Sequence, residues 1–322
     1  MYNKELKSRF ISDFTTSVSR QASIKAMFDM LEKYEIKWNA DFCTRSKDEI
    51  APVVEEVAGG RAVSQQKMIF LRAYVKWCCD NGVAGARNDL FLLKDIGLEK
   101  MKHRMVSSPT HLQRYLDYVC YPLREETNGC IFRCYFWLAY SGIAEEDAFS
   151  IRVSDIDLNN SIIFFHGVEF PLYKESLPAF KQCIEATRFK VFHATGDRYL
   201  DRAEGDILIR GTNGVMSDKG MKVEATRKSR NPYATTVLGK PKNDDLELHL
   251  CYSRLWLSGV FYRTYELEGA GITPNFMGLA RRQSEGKTYN LSAGRNLPEA
   301  KIRRIARNYQ TDYYNWKRVF SL

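Results

Sequence analysis

The chain opens on helical periods. Between Ser19 and Tyr34 the apolar residues Ile24, Met27, Phe28 and Leu31 stand at i, i+3, i+4 and i+7, one stripe of an amphipathic helix. A second helix is predicted from Ser46 to Ala58, because Ser46 and Glu49 make an S-x-x-E capping box and Gly59-Gly60 is a stop. A third runs from about Ser64 to Asn81, where Met68, Leu71, Val75 and Cys78 keep the spacing and Gly82 ends it. Its polar residues Gln65, Gln66, Lys67, Arg72 and Lys76 are left for another surface, either water or phosphate. Residues 1–85 therefore read as one helical domain.

The pattern then loosens. Gly, Asn and charge surround a single apolar run, Leu90-Phe-Leu-Leu93, and predict a linker over 86–107. A second domain, 108–322, begins with Ser108 as N-cap and Pro109 as the first helical residue. The apolar run "CIFRCYFWL" (130–138) predicts a buried helix, which turns at Gly142 in "AYSGIAEEDAF". Two short β-prone runs meet across Asn159-Asn160, and Gly167 separates the second from "VEFPL", so a small antiparallel sheet is expected, with Pro171 at its edge or end. Helices return from Leu255 to Glu268 and from Pro298 to about Phe320. The last carries Ile302, Ile305, Tyr309, Tyr313, Trp316 and Phe320 on one face and Lys301, Arg303, Arg304 and Arg307 on the other. It either caps its own domain or docks on a second subunit. The fold class is mainly α with a small antiparallel β-sheet; no internal repeat or low-complexity tract is present.

Composition narrows the function. A formal charge of +9 favours nucleic acid as the partner, and the excess is concentrated late: residues 251–322 hold twelve Lys/Arg against five Asp/Glu. A solvated basic surface is the plain alternative. Eight cysteines without a C-x-x-C rib or His at zinc spacing read as buried thiols in a reducing compartment, so no metal and no cofactor are expected, even at the i,i+4 pair Cys130 and Cys134. The charged "MYNKELKSRF" start gives no signal peptide, and the longest apolar run is too short to span a bilayer, so a cytoplasmic location and no membrane partner are expected.

The order of elements resembles the tyrosine recombinase (phage integrase) family. "SRQASIKAMFDMLEKYEI" through "SQQKMIFLRAYVKWCCDNGV" is similar to the family's SAM-like core-binding domain. "YSGIAEEDAFSIRVSDIDLNNSIIFF" is similar to its T-G-L-R-x-x-E, L-x-W-x-D-I-D and hairpin, and "VEFPLYKESLPAFKQCIEA" to the segment that follows. The resemblance implies a two-domain clamp on DNA and a tyrosine nucleophile helped by two Arg, a hairpin Lys and His or Trp. Cationic groups at the phosphate are indispensable to that chemistry, since stabilising the charge that develops in the transition state usually supplies most of the rate acceleration. Here the first Arg falls on Ala144. The H-x-L-R-H box falls on Leu255, Ser258 and Gly259, with Arg254 and Arg263 nearby but out of helical phase. A register keyed on His249 and Arg254 has the wrong spacing, and the hairpin offers His166 and no Lys. Tyr289 stands at about the distance of the former nucleophile.

Such a degenerate centre implies a DNA binder without strand transfer, and the chain is most similar to repressors that hold a prophage's lytic genes silent. The expected partner is double-stranded operator DNA in a bacterial host. Expected contacts are Arg61, Gln65, Gln66, Lys67 and Arg72 in the first domain, with the glutamines reading adenine and Lys67 placing the backbone. In the second they are Lys219, Lys222, Arg227, Lys228, Arg230, Arg254, Arg281, Arg282 and Lys287, of which 281, 282 and 287 are placed on the nucleophile's loop. Self-association through helix 298–320 and a phage-encoded antirepressor are further partners to expect. The competing readings are a divergent active recombinase using Tyr289, and a helical adaptor that does not touch DNA.

Overall fold

The computed structural model describes residues 1–58, 61–93, 98–120, 127–191, 198–211, 248, 250–284 and 297–322. It divides into two compact units, Met1–Lys100 and Met101–Leu322.

The first unit is helical: α1 (Lys4–Phe14), α2 (Val18–Trp38), α3 (Lys47–Ala58) and α4 (Arg61–Asp80), and the short α5 (Leu98–Lys102) spans the division between the units. The stripe foreseen on α2 is buried. One half of the expected α3 capping box forms: Ser46 N donates to Glu49 Oε2 at 2.9 Å, while Ser46 Oγ donates to the same oxygen at 2.8 Å instead of accepting from Glu49 N. That bonding holds the Glu49 carboxyl below its usual range. Phe10, Phe28 and Tyr74 make the aromatic centre, with Phe28 and Tyr74 rings 4.8 Å apart. A polar knot lies beside them. Lys7, Glu35 and Asp41 are all buried; Lys7 Nζ donates to Glu35 and stands 3.7 Å from Asp41 Oδ2, while Tyr74 OH donates to Asp41 Oδ1 at 2.8 Å. Burial pushes the Glu35 carboxyl up, opposed by Lys7.

The expected linker, 86–107, is taken up by the two units. Leu90 and Leu93 are buried in the first core, and Asp89 Oδ2 accepts from Lys47 N at 2.9 Å. Met105 and Val106 are buried in the second core. Four apolar residues are enough to draw this polar stretch onto the two surfaces.

The second unit is organised around α7 (Thr127–Ser141), whose residues from Cys130 to Ser141 are buried apart from Arg133, which pairs with Asp117 at 3.0 Å. Around it pack α6 (Pro109–Val119), α8 (Leu177–Glu185) and α9 (Tyr252–Gly269). The cap expected for α6 is present: Ser108 Oγ accepts from His111 N at 3.1 Å. β1 (Ile156–Asp157), β2 (Ile162–Phe165) and β3 (Val168–Pro171) form the antiparallel sheet, in register Ile163↔Phe170 and Phe165↔Val168. Its two-residue turn, His166-Gly167, has φ of 50° and 74°, the left-handed pair that matches strand twist in tight hairpins. A second hairpin, β4 (Arg188–Val191) with β5 (Arg198–Asp201), was not foreseen, because each four-residue run carries two charges, Arg188 and Lys190 on one and Arg198 and Asp201 on the other. Two helices complete the described chain, α10 (Phe276–Ser284) and α11 (Glu299–Phe320). Among the described residues no helix is long and apolar enough to cross a membrane.

Candidate nucleic-acid interface

The turn after α7 is where the family's chemistry would begin. Leu138 and Ala139 carbonyls accept from Ile143 N and Gly142 N, both at 3.0 Å, and Gly142 takes φ of 105°, a value that favours glycine. Helix α9 crosses this turn with one stripe, Tyr252, Trp256, Gly259 and Arg263, at intervals of four, three and four. Each member meets a backbone carbonyl. Tyr252 OH donates to Ile143 O at 3.1 Å, Trp256 Nε1 to Gly142 O at 3.0 Å, and Arg263 Nη1 to Tyr140 O at 2.7 Å. At Gly259 the helices approach so closely that an added Cβ would lie 1.8 Å from Tyr140 O.

A centre that grips a phosphate needs donors aimed at unoccupied space. Here the donors are directed at the turn's own carbonyls. Ala144, partly buried, packs on the core, and the residues after it are acidic: Tyr135 OH donates to Glu145 Oε1 at 3.0 Å, and burial raises the Asp147 carboxyl while His166 opposes the rise. Leu255, Ser258 and Gly259, where the resemblance would put the H-x-L-R-H box, are fully buried. Ser258 Oγ accepts from Val106 N at 3.2 Å and donates to Arg254 O at 2.8 Å.

Arg254 stands one turn before Ser258 on α9, because four residues nearly complete a helical turn. Burial lowers its pKa, the neighbouring Arg104 adds to the effect, and among the described residues no acid pairs with it. Arg254 is thus a half-buried cation in the first turn of α9.

The other expected contacts are spread over both units. On α4, Lys67 does not stand free for a phosphate: its Nζ donates to Val57 O at 2.7 Å, closing the last turn of α3. Arg72 is exposed, with its guanidinium 6.0 Å over the Phe91 ring. Ile69 and Lys76 share its outward strip, and Ile69 is 61% exposed. Sequence periodicity could have singled out Ile69, an apolar residue off the buried stripe. The backbones of Arg61, Gln65 and Gln66 lie in α4, and their side chains are outside the described residues. Arg281 and Arg282 lie on the last turn of α10 and not on a loop, a position that suits cations at the negative end of a helix. Arg281 is 3.4 Å from Glu299. Lys219, Lys222, Arg227, Lys228, Arg230, His249, Lys287 and Tyr289 lie outside the described residues.

The apolar face of α11 is covered within its own unit. Ile302, Ala306, Tyr309, Tyr313 and Trp316 are buried, and Trp316 Nε1 donates to Val106 O at 3.0 Å. The outer face presents Arg303, Arg304 and Arg307. Cys134 Sγ donates to Ala179 O at 3.2 Å and Cys183 Sγ to Leu208 O at 3.6 Å, and among the described residues no group of His, Cys, Asp or Glu is arranged to hold a metal.

Residues 1–80, about a quarter of the chain, match the family model of the MrpR N-terminal core-binding domain. No curated protein matches the chain. Among solved structures it is similar to a crystal structure of XerA recombinase, covering 98% of this chain and 98% of that one at 14% identity and a TM-score of 0.38. A likeness of that degree fixes neither fold nor function by itself.

Proposed function

We propose that the chain is a sequence-specific double-stranded DNA-binding repressor that maintains prophage lysogeny, built on an integrase fold without strand-transfer chemistry. The observation that carries the reading is the turn at 140–144: Tyr252, Trp256 and Arg263 of α9 each bond a turn carbonyl, and Ala144 has no cationic group. The match of residues 1–80 to the MrpR core-binding domain supports the DNA-binding half. So does the +9 charge. On this reading Arg72 in the first unit, and Arg254, Arg281 and Arg282 in the second, neutralise phosphates, together with the basic residues between 219 and 230. The exposed strip of α4 meets base edges.

Gel-shift titration against prophage promoter duplexes, repeated across salt concentrations, tests the reading. Binding should weaken linearly in log–log form, each phosphate contact contributing about 0.9 to the slope, and Arg72→Ala should lower the slope by about that amount. A nicked suicide duplex should yield no covalent protein–DNA adduct. Salt-insensitive or absent binding overturns the repressor reading, and an adduct lost in Tyr289→Phe replaces it with an active recombinase.

A further inference from the structure

The outer face of α11 has a feature outside the residues assigned above to DNA. Between the start of α10 and the middle of α11 lies an open cleft of about 590 Å³. Its floor is apolar, made by Phe276, Met277 and Ala306, and Phe276 is held in place by the Tyr313 and Tyr314 rings at 5.6 and 6.4 Å. Its rim is cationic. Arg303 and Arg307, one turn apart, line it together with Asn275. Among the described residues Arg303 has one long acidic contact, to Glu299 at 3.5 Å, and no acid pairs with Arg307. The Asn275 side chain is already engaged, since its Oδ1 accepts from Gly278 N at 2.8 Å.

An apolar floor under two guanidinium groups discriminates between anions. A duplex presents its phosphates on a hydrated backbone and keeps its thymine methyls in the major groove, so pairing the rim with phosphates leaves the half-exposed Met277 uncovered. A peptide with an aromatic or aliphatic side chain between carboxylates covers the floor and pairs the rim, and guanidinium forks bind carboxylates in a bidentate manner. The cleft's volume falls in the range that takes small ligands or a few side chains, roughly 300–1,000 Å³. We propose that this cleft between α10 and α11 is a docking site for an acidic peptide segment of a partner protein, read as an apolar anchor flanked by Asp or Glu. The site is separate from the DNA-binding reading and stands or falls independently of it.

The test starts from a displayed random-peptide library selected on the full-length chain, with the double variant Arg303→Glu/Arg307→Glu as the counter-target. Both substituted residues are exposed, and matching thermal melts establish that the variant is folded. The enriched peptides should share an aromatic or aliphatic residue next to at least two acids. A synthetic, labelled copy of one should bind the wild type in fluorescence anisotropy, at least tenfold weaker to the double variant, and not at all when its acids are changed to Lys. It should also shift the methyl resonance of Met277. Enrichment without acidic residues, or equal enrichment on the double variant, overturns the proposal. So does a double variant that loses about two phosphate contacts' worth of salt slope on DNA while the wild type enriches no peptide, which would make the cleft part of the duplex surface.

Discussion

Gly259→Ala offers the sharpest test of how the turn and α9 are joined. The added Cβ would lie 1.8 Å from Tyr140 O, 2.7 Å from its carbonyl carbon and 3.0 Å from its Cα, all backbone atoms that cannot swing away. Ordinary C···O contact begins at about 3.3 Å, so α9 and α7 must separate by about 1.5 Å. That movement breaks the bonds now at 3.1, 3.0 and 2.7 Å from Tyr252, Trp256 and Arg263. At about 1 kcal/mol for each neutral bond and about 1.5–3 for the charged one, the loss is roughly 3–5 kcal/mol. For a unit of this size that corresponds to a fall in Tm of about 10 °C. The assay is calorimetry or circular dichroism on the full chain, following the transition of Met101–Leu322. Gly269→Ala, at the end of the same helix with nothing within 4 Å, is the control and should be neutral or stabilising by up to about 1 kcal/mol. A Gly259→Ala protein melting within about 2 °C of wild type refutes the close-approach argument. The same contact forbids a histidine at 259, so the resemblance's catalytic residue cannot be put back there without moving a helix.

Three other outcomes follow from the same contacts. Ala144→Arg should give no covalent adduct on a nicked duplex, because Leu255, Ser258 and Gly259 leave the aligned second box without its Arg and His; an adduct would show that one cation is sufficient. Lys7→Met leaves Glu35 and Asp41 buried without their cation and should destabilise the first unit by about 3–5 kcal/mol, measured by urea unfolding through Trp38 and Trp77 fluorescence; a loss under about 1 kcal/mol would mean the carboxyls are neutral already. Since burial raises the Glu35 pKa above its unfolded value of 4.5, the native state keeps that proton longer. Its contribution is full below pH 4.5 and is lost as pH rises through the folded pKa. The stability difference between wild type and Glu35→Gln should therefore drift across that window, and a flat difference counts against it.

What was legible in the sequence is what neighbours decide. The α2 stripe, the Ser46–Glu49 bond, the Ser108 cap and the His166-Gly167 turn each depend on residues a few positions apart. Lys7 was not legible, because a lysine on a buried face makes sense only once Glu35, 28 residues away, is beside it. Helix α10 escaped notice because nine residues containing Gly278 show too little period. For the candidate site, the loss of the cation at Ala144 could be read directly, whereas the pairing of Arg263 with Tyr140, across 123 residues, could not. Lys67 illustrates the reverse error: a basic residue on a promising helix face was claimed by a carbonyl of the preceding helix.

The two leucines at positions 90 and 93 have a practical meaning for anyone who would cut this chain. The stretch that sequence comparison recognises stops at residue 80, yet Leu90 and Leu93 sit in the core beyond it, and Arg87 N and Asp89 tie back to Cys43 and Lys47. A fragment ending at 80 would be born with an open flank of hydrocarbon and two loose backbone groups. The matched stretch and the compact unit have different ends, and a soluble N-terminal fragment should be sought with its last residue past 93.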